Sequence, residues 1–163
     1  MEKESLGKLL KRFDLTKINL KTQWLELEIS HTKDDRNAAW DMYVEMITRT
    51  VTQPLSYNYG DEEAALKSIY ELFEITRNIL KEKGRNAKEF TMIAVVVLNQ
   101  IVRPFTSKWH QKLVDQTFYE PEQRKLFREE LNELQSYLVC YAKLLADLAN
   151  VEDLTDTFYS END

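Results

Sequence analysis

Apolar side chains recur at steps of three and four through most of this chain, the period of amphipathic helices. Residues 4 to 13 predict a short helix with Leu6, Leu9, Leu10 and Phe13 on one side. From residue 34 a long helix follows, capped by Thr32 or Asp34. Its core face is Ala39, Tyr43, Met46, Ile47 and Val51, and Gln53-Pro54 ends it. Past a loop from Leu55 to Gly60, a second helix opens at Gly60 or Asp61. It carries Ala65, Ile69, Leu72, Phe73, Ile79 and Leu80, with Gly84 as its C-cap. A third starts near Asn86 and runs through the unbroken apolar stretch Met92 to Leu98. A helix apolar on all sides is expected to be buried on all sides, so this one takes the central place, kinked at Pro104. Pro121 sits in the first turn of a fourth helix bearing Phe127, Leu131, Leu134, Leu138, Tyr141, Leu145 and Leu148.

One segment breaks the period. Ile18, Leu20, Thr22 and Trp24 alternate with polar residues, and Leu25, Leu27 and Ile29 continue the alternation one residue out of phase. That pattern predicts an extended segment with a bulge near Trp24. With no second strand expected in the chain, it pairs with another copy, lies on the helices, or is no strand at all. Trp24, Leu25, Leu27 and Ile29 are expected to be covered, each being worth roughly 1.5–3 kcal/mol when buried. The expected fold is therefore all-α. It comprises a short helix and extended segment in residues 1–30, an up-down-up-down four-helix bundle in 31–150 and an acidic tail in 151–163.

Composition narrows this without changing it. Three glycines and three prolines in 163 residues are too few for the many tight turns of a sheet-rich fold. Cys140 is alone, which excludes an internal disulfide and suits a reducing cytoplasm. No apolar run of signal-peptide or membrane-spanning length is read from the sequence, so a soluble, cytoplasmic chain without a membrane role is expected. A net charge of −6 argues against a general nucleic-acid binder. The charge is uneven: Lys3, Lys8, Lys11, Arg12, Lys17 and Lys21 make a basic arm, and Glu152, Asp153, Asp156, Glu161 and Asp163 an acidic end. Both read first as solvated runs.

Phosphate loops, nucleophile elbows, cysteine pairs and His-Glu-x-x-His are all absent. Only His31 and His110 occur, so no metal and no cofactor is implied. The feature that stands out is a polar stripe on the apolar third helix. Asn99, Arg103, Thr106 and His110 follow at steps of four, three and four, with Lys108 and Trp109 beside them. An arginine inside a helix core needs carboxylates, because an unpaired buried charge costs on the order of 3–5 kcal/mol. Glu45 and Glu74 are available on the neighbouring helices, next to Arg49 and Arg77. Two readings stand: an internal network that fixes helix register, or an Arg/His/Trp pocket for an anionic ligand or a partner's carboxylate.

Arg103 and His110, separated by the six-residue spacer Pro104 to Trp109 on a bundle helix, also resemble the catalytic motif of HEPN ribonucleases. The resemblance implies His110 as acid or base and Arg103 on phosphate, usually across a dimer. The spacer is at the long limit for that motif, and the motif lies in the third predicted helix rather than opening the last. The strings Arg36–Trp40, Tyr43–Arg49, Gln53–Leu55, Leu98–Phe105 and Lys108–His110 resemble an uncharacterised family of small helical bacterial proteins. That resemblance spans about residues 17 to 153. It implies a bacterial source and a helical fold, and it carries no catalytic residues over. Together these features lead to the expectation of a non-enzymatic interaction module that binds a protein partner or itself. The alternative is a HEPN-like ribonuclease or an anion-binding bundle using Arg103 and His110.

Overall fold

A computed structural model describes residues 4–158 of the chain, and they are mostly helical. Glu2 and Lys3 of the N-terminal charges, and Glu161 and Asp163 of the acidic end, lie outside the described residues. The first element is a two-residue strand, β1 (Glu4–Ser5), followed by α1 (Leu6–Arg12). The Ser5 hydroxyl caps α1 by accepting from the Lys8 N–H, and Leu6, Leu9 and Leu10 are buried as their spacing requires. The next segment departs from expectation. Thr22–Leu25 is a single helical turn, α2, and only Glu28–Ile29 forms a strand, β2. It pairs antiparallel with β1, so the ladder partner lies within the chain. Period-two hydrophobicity could not reveal this, because Glu4 and Ser5 carry no apolar signal. Ile18 and Ile29 are buried, whereas Trp24 and Leu27 stay exposed.

Four helical stretches supply the rest: α3 (Lys33–Thr48), α4 (Glu62–Lys83), α5 (Lys88–Val97) continuing into α6 (Arg103–Val114), and α7 (Pro121–Ala149). The α3 and α7 helices make the most extensive contact in the molecule. Both place alanines in the core there (Ala38, Ala39, Ala142, Ala146), which allows close approach of the backbones. The α3 helix ends at Thr48, earlier than Gln53-Pro54 predicts, because Arg49 is already extended. The side-chain amide of Gln135 donates to the Thr50 and Gln53 carbonyls and ties this turn to α7. Val51 is buried as expected, from the turn rather than from the helix.

Two buried carboxylates fix the helix starts. Asp35, 1% exposed, forms a capping box with Thr32 at the head of α3. Its other oxygen accepts from the Glu89 and Phe90 N–H groups, 3.0 Å each, at the start of α5. The α5 helix has no side-chain cap of its own, so Asp35 serves both. Glu89 in turn accepts from the backbone N–H groups of Ser30 and His31. Glu62, 5% exposed at the first turn of α4, accepts from Arg124 and Arg128 at 2.8 Å each. Arg128 also donates to the Ser56 and Gly60 carbonyls, closing the α3–α4 loop onto α7. Glycine is required at 60, where a Cβ would stand 2.3 Å from the Ser56 oxygen.

At Pro104 the helix does not simply kink. Leu98–Val102 form a π turn, in which the Arg103 N–H donates to the Leu98 carbonyl five residues back. The continuous helical stretch Lys88–Val114 is long and apolar enough, by length and composition, to cross a membrane. Reading Met92–Leu98 alone missed this, since Ile101, Val102 and Phe105 prolong the apolar character past the π turn. Here Phe90, Ile93, Ala94, Val97, Ile101 and Val102 are buried. Burial is not all-round, however: Val95 is exposed and Met92 and Val96 are half-buried.

The first and last described segments also pack against the helices. Arg12 pairs with Glu4 and with Asp147 of α7, and Lys17 approaches Glu133 at 3.8 Å. The Tyr43 hydroxyl donates to the Glu152 carbonyl and accepts from the Leu154 N–H, anchoring the segment after α7. Arg12 and Lys17 of the basic arm thus meet acids, while the side chains of Glu152, Asp153 and Asp156 stay exposed, as a solvated run would.

Candidate functional site

The polar stripe that the sequence presents as one is split between core and surface. Thr106 is buried, and its hydroxyl donates to the Val102 and Arg103 carbonyls. Asn99, Arg103 and His110 are exposed. Arg103 Nε donates to Asn99 Oδ1 at 3.1 Å, and the guanidinium lies 4.8 Å from the centre of the Phe73 ring on α4. Neither Glu45 nor Glu74 pairs with it. Glu45 belongs to Arg49, at 2.6 Å, and Arg49 also reaches Glu71 at 2.7 Å. The buried arginine that needed a carboxylate is thus an exposed one that needs none.

Trp109 and Lys108 lie on the far side. Trp109 is fully buried among Phe105, Phe118 and Phe127, with its indole N–H donating to Glu130 at 2.9 Å. Lys108 pairs with the same carboxylate. Both residues secure α6 against α7, so the structure does not assemble an Arg/His/Trp pocket. His110 instead meets Tyr70 of α4, ring centres 6.1 Å apart, and Tyr70 meets Phe73 at 5.7 Å. Arg103 and His110 therefore clasp two adjoining rings of α4 and do not touch each other.

Three grooves border this region. The largest, about 800 Å³, runs between α4 and α6 and is lined by Tyr70, Phe73, His110 and Leu113, with Asp61, Glu63, Glu71 and Glu74 around it. A second, about 360 Å³, shares Phe73 and Arg77 with the first. It gathers Arg77 and Lys81 of α4 with Arg103 and Asn99 over an apolar floor. The third, about 610 Å³, shares Val95 with the second and lies between α5 and the α2 turn. Leu20, Trp24, Met92 and Val96 line it, with Lys21 and Lys88 beside them.

Of the residues singled out by sequence, Asn99, Arg103 and Arg77 come together, His110 joins the neighbouring groove, and Arg49, Lys108 and Trp109 are engaged elsewhere. Lys81 was missed, although its place four residues after Arg77 on a helix signals a shared face. Trp24 was misplaced, because apolar character alone predicts burial. Among the described residues no cluster of three or more His, Cys, Asp or Glu side chains is placed to hold a metal. No protein-family model, curated protein or solved structure matches this chain.

Proposed function

We propose that the chain is a non-enzymatic helical interaction module. Its four long helical stretches form an up-down-up-down bundle, and a protein partner docks in the groove between α2 and α5. One observation supports this reading above all: Trp24 is 41% exposed and Val95 38% exposed on the two sides of that groove. An apolar cleft of this size that stays open to water gains from being covered, at roughly 25 cal/mol per Å² of apolar surface removed. Lys21 and Lys88 flank it, so the occupant that fits is an amphipathic helix with acidic residues beside its apolar face. A strand offered to another chain no longer supports the reading, since β2 is paired internally. A cytoplasmic setting in a bacterium goes with the proposal, on the strength of the lone Cys140 and the family-like strings.

Carboxyl–amine cross-linking of the tagged chain in lysate of its source cells tests this. Lys21 and Lys88 should link to acidic residues of an amphipathic segment in one partner, and Trp24→Glu should abolish the links at an unchanged melting temperature. Links to a second copy of the chain would make the module self-associating. Links that survive Trp24→Glu would remove the groove as the site. The ribonuclease alternative draws support from one feature, the exposure of Arg103 and His110 on the same helix. Single-stranded RNA left intact by the purified chain would end that reading.

A further inference from the structure

The groove between α4 and the π turn gathers three cations, one more than the lysine-flanked groove beside α2. In a protein of net charge −6, its walls carry Arg77, Lys81 and Arg103 and no carboxylate. Elsewhere Arg12, Arg49, Arg124, Arg128, Lys83 and Lys108 all lie against acids. Arg77 and Lys81 are four apart on one helix, a like-charge spacing that opposes helix formation by a few tenths of a kcal/mol in isolation. Arg103 is held in place by the Asn99 amide and the Phe73 face, which leaves both Nη atoms without a hydrogen bond among the described residues. A fixed guanidinium fork with free Nη groups is the geometry that receives two oxygens of one oxyanion.

We propose that this groove binds an organic phosphomonoester, with the phosphate among the three cations and the carbon body on Leu80, Val95 and Leu98. Charge selects phosphate over carboxylate. A phosphomonoester carries about −1.5 to −2 at pH 7 and three acceptor oxygens, whereas a carboxylate offers one charge to three cations. The groove's volume of about 360 Å³ suits a single phosphate on a small carbon body rather than a nucleic-acid backbone. Toward the larger groove, Asp61, Glu63, Glu71 and Glu74 repel a polyanion extending that way. The phosphate can come from a free metabolite or from a phosphorylated side chain of a protein, and the site's chemistry is the same for both.

The test is calorimetric titration of the whole chain with phenyl phosphate, inorganic phosphate and benzoate. Phenyl phosphate should bind saturably and more tightly than either of the others, which lack the body or the second charge. Arg103→Gln and the double variant Arg77→Gln/Lys81→Gln should each weaken it by roughly tenfold or more, as for loss of a charge-assisted contact. Lys125→Gln, an equal charge change at an exposed position away from the groove, should leave it unaltered. A phosphotyrosine peptide that binds roughly tenfold tighter than phenyl phosphate would assign the phosphate to a protein, and equal affinity would assign it to a metabolite. Absence of saturable binding, benzoate binding as well as phenyl phosphate, or equal weakening by Lys125→Gln would each overturn the site. None of these results bears on the Trp24 groove, whose test stands apart.

Discussion

The two ends of α4 hold opposite arrangements of charge. At its start, Glu62 is buried and clamped by Arg124 and Arg128. Near its end, Lys83 pairs with Asp41, but Arg77 and Lys81 line a groove with Arg103 that holds no acid. The helix dipole favours both signs, acids at the start and bases in the last turn. It does not explain why one end is saturated and the other open, nor why Arg103 of another helix joins the open one. Burial explains the first: a carboxylate taken out of water needs its partners. The second has no such need, so its grouping is left to what it can bind.

The largest effect should come from the closed end. Burial alone would raise the Glu62 carboxyl, but the hydrogen bonds from Arg124 and Arg128 outweigh it and bring the pKa down to about 2. A carboxyl lowered on folding lends stability above its unfolded value, and that stability is lost as pH falls from about 4.5 toward about 2. Glu62→Gln should lower stability at neutral pH by about 3 kcal/mol and flatten the acid limb of the melting-temperature curve. An unchanged acid limb would break the contrast at its stronger side.

Asp35 supplies an intermediate case, buried as Glu62 is but satisfied by backbone N–H groups and the Thr32 hydroxyl rather than by cations. Asp35→Ala removes half of the α3 capping box, leaving the Thr32 hydroxyl in place, and the whole side-chain cap of α5, and should cost about 2 kcal/mol in urea unfolding. Hydrogen exchange should quicken at Glu89 and Phe90 first. The smallest effect belongs to the open end. Arg103→Ala gives up an exposed cation–π contact and one hydrogen bond, so its stability should fall by less than about 1 kcal/mol. A loss as large as that of Glu62→Gln would mean Arg103 is structural after all.

Sequence periodicity located the long helices well, because Leu131, Leu134, Leu138 and Tyr141, for example, are buried as their spacing demands. The proline at 121 and the caps at Thr32 and Asp61 were equally legible. What escaped was whatever depends on partners distant in the chain. Glu4 and Ser5 look like helix start yet serve as a strand, and Asp35, which the pattern does not single out, joins the capping box of α3 and caps α5. The polar stripe shows the same limit. Arg103, Thr106 and Trp109 are close in sequence, but whether each faces groove, backbone or core is decided by α4 and α7.

The π turn also sets the gearing of the molecule. An extra residue in an α-helix advances everything beyond it by about 100° about the axis. With the turn in place, α5 addresses α3 while α6 addresses α4 and α7. The aromatic cluster around Trp109 and the cationic rim at Arg103 therefore stand at an angle set by the π turn, where hydrogen bonds such as that from the Arg103 N–H to the Leu98 carbonyl reach back five residues instead of four. Removing a single residue between Leu98 and Val102 would straighten the helix and turn both at once, so the core could be repacked only by giving up the groove.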